Sequence, residues 1–334
     1  MDQRTVSLDR MYAARERISG RVHRTPMLSS ATAAALVAVS SGVSLGEDRL
    51  FVKAEHFQKT GSFKARAALS KLTSLTAEER AGGVITLSAG NAAQAYAWAG
   101  AAEGVAVTVV MPARAVQSKV DASRGYGAEV VLHGQHVGET WARVQELIAE
   151  RGLTLVHPFD DPEVIAGNGT AGLEILEDLP DVDVVVAGVG GGGFISGVAT
   201  ALKESRPGVR VYGVEPVGSD AVSKAIKAGE VVRIDPVSVA DGLGAPFAGE
   251  WTLPICSRYL DEIVLLDDAT IFGGLRFAAE RMKQVLEPAG AAALAAVING
   301  RIPIRDGEQV CVVASGGNVD VSRLGEFLEA PISS

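Results

Sequence analysis

The chain has 334 residues, 47% hydrophobic and 21% charged, the composition of an ordinary globular protein rather than a disordered or fibrous one. Its formal net charge of −9 comes with no basic cluster, which excludes the electrostatic footprint of a nucleic-acid binder. Two cysteines form neither a disulfide framework nor a metal site unaided. No window approaches the ~18 uninterrupted apolar residues of a membrane span, and Met1-Asp-Gln-Arg-Thr-Val lacks a signal core, so a cytoplasmic location is expected.

Short Val- and Ile-rich runs alternate with longer helical patterns along the chain. After an Ala-rich helical stretch at Ala31–Ala38, candidate strands fall at Leu50–Ala54, Gly83–Ser88, Ala106–Met111 and Ala128–His133. The segment Val137–Arg151 repeats apolar residues at helical spacing through Val137, Trp141, Val144, Leu147 and Ile148. Further strands are expected at Thr154–His157, Val182–Val189, Val209–Glu215, Glu262–Leu266 and Gln309–Ala314. Runs such as Val184-Val-Val-Ala187 are apolar on consecutive residues, which suits parallel strands covered on both faces. The alternation predicts an α/β fold with mostly parallel sheets, and nine strands are enough for two sheets. Neither an internal repeat nor a sharp domain border is visible.

Four turns carry side chains or backbone with chemical potential. In Lys53-Ala-Glu-His-Phe-Gln-Lys-Thr-Gly-Ser-Phe-Lys64, a strand ends, a polar turn follows, and Lys64 opens a helical pattern. The positive end of a helix dipole favours the neutral amine that Schiff-base chemistry needs, although most lysines are simply solvated charges. In Thr86-Leu-Ser-Ala-Gly-Asn91, Ser88 and Asn91 lie beside free N–H groups, suited to a carboxylate or to plain helix capping. In Val184–Phe194 an apolar strand runs into Gly190, Gly191, Gly192 and Gly193 and then a helix, an arrangement that exposes backbone N–H groups to an anion. The same residues satisfy Gly188-x-Gly190-x-x-Gly193 with Glu215 ending the next strand, the weak fingerprint of a nicotinamide-dependent oxidoreductase. Ser315 and Asn318 close the set at the end of the last buried strand.

In order and spacing these segments resemble the fold-type II (tryptophan synthase β-like) pyridoxal-phosphate enzymes, specifically the serine/threonine dehydratase and serine racemase branch. The resemblance runs from Arg24-Thr-Pro-Met-Leu28 through Lys59–Lys64, Ser88–Asn91, His157-Pro-Phe-Asp-Asp-Pro162, Ile165–Glu174 and the tetraglycine. It continues through Gly213-Val-Glu-Pro216, Ala240-Asp-Gly242, Glu287-Pro-Ala-Gly290 and Ser315–Asn318. It implies two domains, each a mostly parallel sheet flanked by helices: a large one from 1–80 and 153–334, and a small mobile one from 81–152.

By the same resemblance, Lys64 binds pyridoxal 5′-phosphate as a Schiff base and is the catalytic base. Phe63 packs beside the ring, Gly190 to Gly193 hold the phosphate, and Asn91 meets the 3-hydroxyl. Glu287 lines the cofactor site, and Ser315 faces the pyridine nitrogen. Ser88, Ala89, Gly90, Asn91 and Gly242 form the substrate site. A hydroxyl facing the ring nitrogen makes a milder electron sink than a carboxylate would, favouring β-elimination over transamination. The implied reaction converts L-threonine or L-serine to a 2-oxo acid and ammonia, by a homodimer or higher homo-oligomer. The alternatives are a dehydratase of another 3-hydroxy amino acid such as threo-3-hydroxyaspartate, a serine racemase, or a non-catalytic ligand-binding relative.

Some positions depart from the family pattern. Ala89 replaces the serine that serves racemases as a second acid/base, and Ala92 replaces a common histidine. The family's cation site uses the glutamate of Gly-Val-Glu-Pro, here Glu215, with Ser219 and Ala221 as its next positions. Asp220 substitutes if that loop shifts by one. The sequence stops at Ser334, so no C-terminal regulatory domain of the biosynthetic threonine dehydratases is expected.

Overall fold

The computed structural model describes residues 4–330. Among the described residues, ten strands form two sheets. The larger has the order β1-β2-β10-β7-β8-β9, built from β1 (Met27–Ser30), β2 (Leu50–Lys53), β7 (Val184–Gly188), β8 (Arg210–Pro216), β9 (Glu262–Leu266) and β10 (Val310–Val313). All its neighbours run parallel except the edge strand β1, which pairs antiparallel with β2 from Met27 opposite Lys53 to Ser30 opposite Leu50. The smaller is fully parallel, with the order β5-β4-β3-β6 from β3 (Val84–Leu87), β4 (Val107–Met111), β5 (Glu129–Leu132) and β6 (Thr154–Leu155).

The nine strands expected from the sequence are present, most with tighter ends, β6 reduced to two residues, β9 with the expected bounds and β8 running on to Pro216, and β1 is additional. Its four residues, Met-Leu-Ser-Ser, have no apolar run, and it owes its conformation to pairing at the sheet edge rather than to burial on two faces. Ser30 then caps the helix Ala31–Ser41 by accepting the Ala33 N–H. The helix Val137–Arg151 has the expected bounds.

Alternation within the central strands explains their unbroken hydrophobicity. Val184, Val186, Val310 and Val312 face one layer with the helix Pro288–Ile298, all of whose residues are buried. Val185, Ala187, Cys311 and Val313 face the opposite layer, with Ile165 and Ile175 of helix Pro162–Asp178 and Ile195 and Val198 of helix Gly193–Ser205. The helix Lys64–Thr73 lies at the junction of the two sheets. Leu69 and Leu72 join the core of the four-stranded sheet beside Val84 and Val109, while Arg66 hydrogen-bonds to Glu174 of the Pro162–Asp178 helix at 2.7 and 2.8 Å. The turns singled out in the sequence therefore leave the carboxyl ends of parallel strands, where α/β folds place ligands. No helix among the described residues is long and apolar enough to cross a membrane.

Candidate active site

Lys64 is the first residue of its helix and is half-buried. The preceding turn is stitched to the end of β10: Phe63 N–H donates to Ser315 O at 3.2 Å, Gly317 N–H to Gly61 O at 2.9 Å, and Asn318 Nδ2 to Thr60 O at 2.6 Å. Thr60 and Gly61 both take left-handed backbone, at φ 60° and 74°. For threonine that conformation costs about 1–3 kcal/mol, which the surrounding bonds must offset. A Cβ on Gly61 would lie 2.3 Å from Asn318 Oδ1, so glycine is required there. Lys64 Nζ donates to the Pro158 carbonyl at 2.9 Å and lies 5.1 Å from the centre of the Phe63 ring. Burial lowers the amine to about 8, opposed by the negative charge of Glu287. The neutral form is then well populated near physiological pH, and the chief cause is desolvation.

The tetraglycine follows β7, with Gly191 to Gly193 buried and Gly192 left-handed at φ 88°. No side chain among the described residues caps the start of the helix Gly193–Ser205. A Cβ on Gly191 would come within 2.4 Å of the Phe159 ring, one on Gly193 within 2.4 Å of Phe159 O, and one on Gly192 within 2.9 Å of Thr252 Cβ. Thr252 Oγ1 donates to Gly191 O at 2.7 Å, and Asn168 Nδ2 donates to Gly193 O at 3.1 Å. The Asn168 Oδ1 atom is buried with no hydrogen-bond partner among the described residues. The Phe63 and Phe194 rings lie 4.2 Å apart between centroids, tilted by 38°, which ties the lysine turn to the glycine loop.

Ser88 to Gly90 link β3 to the helix Asn91–Glu103, again without a side-chain cap among the described residues. Ser88 Oγ accepts the Gly90 N–H at 3.2 Å in a short turn. Asn91 turns away from its helix: Nδ2 donates to Glu287 Oε1 at 2.6 Å, and Oδ1 accepts from Asn318 Nδ2 at 2.8 Å. Burial, with Asp241 nearby, raises the Glu287 carboxyl to about 7 although the Asn91 bond pulls the other way. Gly242 lies against both sites: a Cβ there would be 3.8 Å from Glu287 Oε1, and its carbonyl is 3.4 Å from a Cβ built on Gly190. Ser315 is buried, and its hydroxyl makes a long 3.5 Å contact to Ala289 O.

One segment with no role assigned from the sequence completes the arrangement. His157 Nδ1 accepts the N–H groups of Asp160 at 2.8 Å and Phe159 at 3.3 Å, and Tyr96 Oη donates to His157 O at 2.9 Å. Asp160 in turn accepts the N–H groups of Glu250, Trp251 and Thr252 at 2.8 to 3.3 Å. Neither periodicity nor a glycine cluster marks this turn.

Residues 6–316 match the family of pyridoxal-phosphate-dependent enzymes. The chain belongs to that family. The catabolic L-threonine dehydratase of Escherichia coli K12 is 40% identical to this member over 96% of each chain. Among solved structures, a threonine deaminase from T.th. is 41% identical with a TM-score of 0.84, covering 94% of this chain and 99% of that one. Maize serine racemase is 33% identical with a TM-score of 0.89, covering 96% of each.

The residues of this family member fit its cofactor. From Gly191 to Gly193 the loop leaves no room for side chains where a phosphate would meet backbone N–H groups, and it opens a helix 13 residues long. Lys64 supplies an amine near neutrality, and the Asn91–Glu287 pair, Gly242 and Ser315 close the same end of the sheet. Membership also removes the nicotinamide reading of the same glycines. Glu215, the acid that reading would use, instead accepts Val222 N–H at 2.9 Å, Ser223 N–H at 3.0 Å and Ser223 Oγ at 2.6 Å, capping the helix Ala221–Ala228. In the expected cation site, Ser219 Oγ donates to Leu243 O and Asp220 pairs with Lys224. No group of three His, Cys, Asp or Glu residues suited to a metal occurs among the described residues.

Proposed function

We propose that the protein catalyses β-elimination of water from L-threonine, L-serine or both, giving a 2-oxo acid and ammonia. The observation that carries this reading is the Lys64 amine, brought near neutrality by burial and held on the Pro158 carbonyl beside the glycine loop. Names borne by homologues of about 40% identity support the same reaction class.

When bound, pyridoxal phosphate delocalises the electron pair left on the substrate α-carbon. With the cofactor bound, the Lys64 amine would hold it and, once free, would take the α-proton of the substrate. Gly190 to Gly193 would present N–H groups to its phosphate, and Phe63, in contact with Phe194, would flank its ring. Asn91 meets the 3-hydroxyl while Glu287 and Asn318 fix its amide. Ser315 offers the pyridine nitrogen a hydroxyl. Ser88, Ala89, Gly90 and Asn91 receive the substrate carboxylate at an uncapped helix start, with Gly242 opposite. The β-hydroxyl departs with a proton as water, and hydrolysis of the released enamine consumes one water, leaving 2-oxo acid and ammonia. The unit 81–152 closes over substrate through Asn91–Glu287 and the Lys119–Asp241 ion pair.

Ala89 has no ionisable group to act as the second acid/base that a racemase needs, which disfavours racemisation. The test is 2-oxo acid release from L-threonine, L-serine and threo-3-hydroxyaspartate in parallel, with D-serine followed alongside. Release from threonine or serine is expected. Production of D-serine faster than pyruvate would replace this reading with a racemase.

A further inference from the structure

The turn 157–160 touches both Lys64 and the glycine loop without belonging to either. Its Pro158 carbonyl takes the Lys64 amine at 2.9 Å. The Phe159 ring packs where a Cβ on Gly191 would have to sit, and the Phe159 carbonyl does the same at Gly193. The Asp160 carboxylate gathers three N–H groups at the start of the helix Thr252–Tyr259, whose Thr252 hydroxyl bonds Gly191 O. From the other side, Tyr96 reaches the His157 carbonyl from the helix that begins at Asn91.

We propose that His157 is a positioning residue: by accepting the Phe159 and Asp160 N–H groups, its Nδ1 folds the turn so that the Pro158 carbonyl faces Lys64 Nζ and Phe159 backs the glycine loop. The proposal rests on Lys64 being the cofactor lysine. Short side chains such as Asn and Asp commonly accept the N–H groups two and three residues ahead. A histidine does the same here and adds a ring, packed edge-on to Phe159 at 4.5 Å and 6.4 Å from Phe247.

A role as proton carrier is disfavoured by the same contacts. Two backbone donors occupy Nδ1, so the neutral ring carries its proton on Nε2. Burial lowers the imidazole to about 4, and the Lys64 charge acts in the same direction against Asp160 and Asp161. At working pH the ring stays neutral, as a backbone acceptor requires.

Two substitutions separate the acceptor from the ring. His157→Phe keeps an aromatic ring without Nδ1, and His157→Asn keeps an acceptor without the ring. Measured on the cofactor-loaded protein, His157→Phe is expected to lower kcat about tenfold or more with KM within about threefold, as for loss of an interaction that acts after binding. With the amine less well shielded from water, the rising limb of kcat/KM should move to higher pH, and the pH midpoint of the visible cofactor band should move with it. His157→Asn should stay within about threefold of wild type with an unmoved profile. Tyr96→Phe, which removes one hydroxyl, should shift the profile in the same direction by less, and it decides the matter if His157→Phe does not fold. An unmoved profile in both Phe variants overturns the proposal. So does a His157→Asn protein as impaired as His157→Phe, because the ring and not Nδ1 would then matter. Borohydride fixation followed by peptide mass tests the underlying reading separately: a label on a lysine other than Lys64 removes that reading and the proposal together.

Discussion

Asn91 Nδ2 donates to Glu287 Oε1 at 2.6 Å across 196 residues of sequence. The bond joins the first turn of a helix on the four-stranded sheet to the residue preceding the helix Pro288–Ile298 on the six-stranded one. It supplies a hydrogen bond to a buried carboxyl group that also feels the charges of Asp241, Lys119 and Lys64. Because the carboxyl is raised from 4.5 to about 7, it keeps its proton in the folded state over a range where the unfolded chain has lost it.

That sets the sign of a pH effect. The folded protein binds the extra proton between about pH 4.5 and 7, so the contribution of Glu287 to stability declines as pH rises through this window. Glu287→Gln keeps an oxygen to accept from Asn91 and removes the titration. Its apoprotein should lose less stability than wild type between pH 5 and 8 and be more stable at pH 8 by on the order of 2 kcal/mol. Urea denaturation at the two pH values checks this, and parallel curves would contradict it.

Lys64 should show its lowered pKa when apoprotein and cofactor are mixed. Only the neutral amine attacks the aldehyde, so the rate at which the visible band grows should rise nearly tenfold from pH 6 to 7 and level off above about 8. A rate still climbing at pH 10 would mean an ordinary solvated lysine. Lys64→Ala should abolish 2-oxo acid release, by on the order of 10⁴-fold or more, while leaving thermal unfolding of the apoprotein nearly unchanged.

The four glycines are not equivalent. The nearest atoms to a Cβ on Gly190 lie at 3.4 Å, against 2.4 Å on Gly191 and Gly193. Gly190→Ala should therefore fold as wild type. Gly191→Ala and Gly193→Ala must displace Phe159 and should weaken cofactor binding about a hundredfold, read by equilibrium dialysis. Equal cofactor affinity across the three variants would remove Phe159 from the account.

Arg66, two residues beyond Lys64, is wholly buried and forms paired bonds to Glu55 at 2.8 and 2.9 Å and to Glu174 at 2.7 and 2.8 Å. Lys53, also wholly buried, reaches Glu174 at 2.7 Å. Removing one partner strands the other charges in the core, so Arg66→Leu should cost about 3–5 kcal/mol. Chemical denaturation of the apoprotein measures this, and a loss below about 1 kcal/mol would mean that water reaches the cluster.

The sequence by itself determined the local pieces: strands apolar on consecutive residues, the strand–tetraglycine–helix unit at 184–193, a lysine opening a helix at 64, and the small-residue turn before Asn91. Each depends on interactions within a few residues, namely two-sided burial of a strand, backbone freedom at Gly192, and open N–H groups at a helix start, and such interactions leave a pattern in the chain. The tertiary structure alone decided the partners. Glu287 meets Asn91, Pro158 meets Lys64, Phe159 fills the space beside Gly191, Glu215 turns to cap its own next helix, and Met27–Ser30 becomes an edge strand. Those contacts follow from strand order and from how the two sheets are set against each other, and residues far apart in the chain carry no local periodicity that encodes which of them will touch.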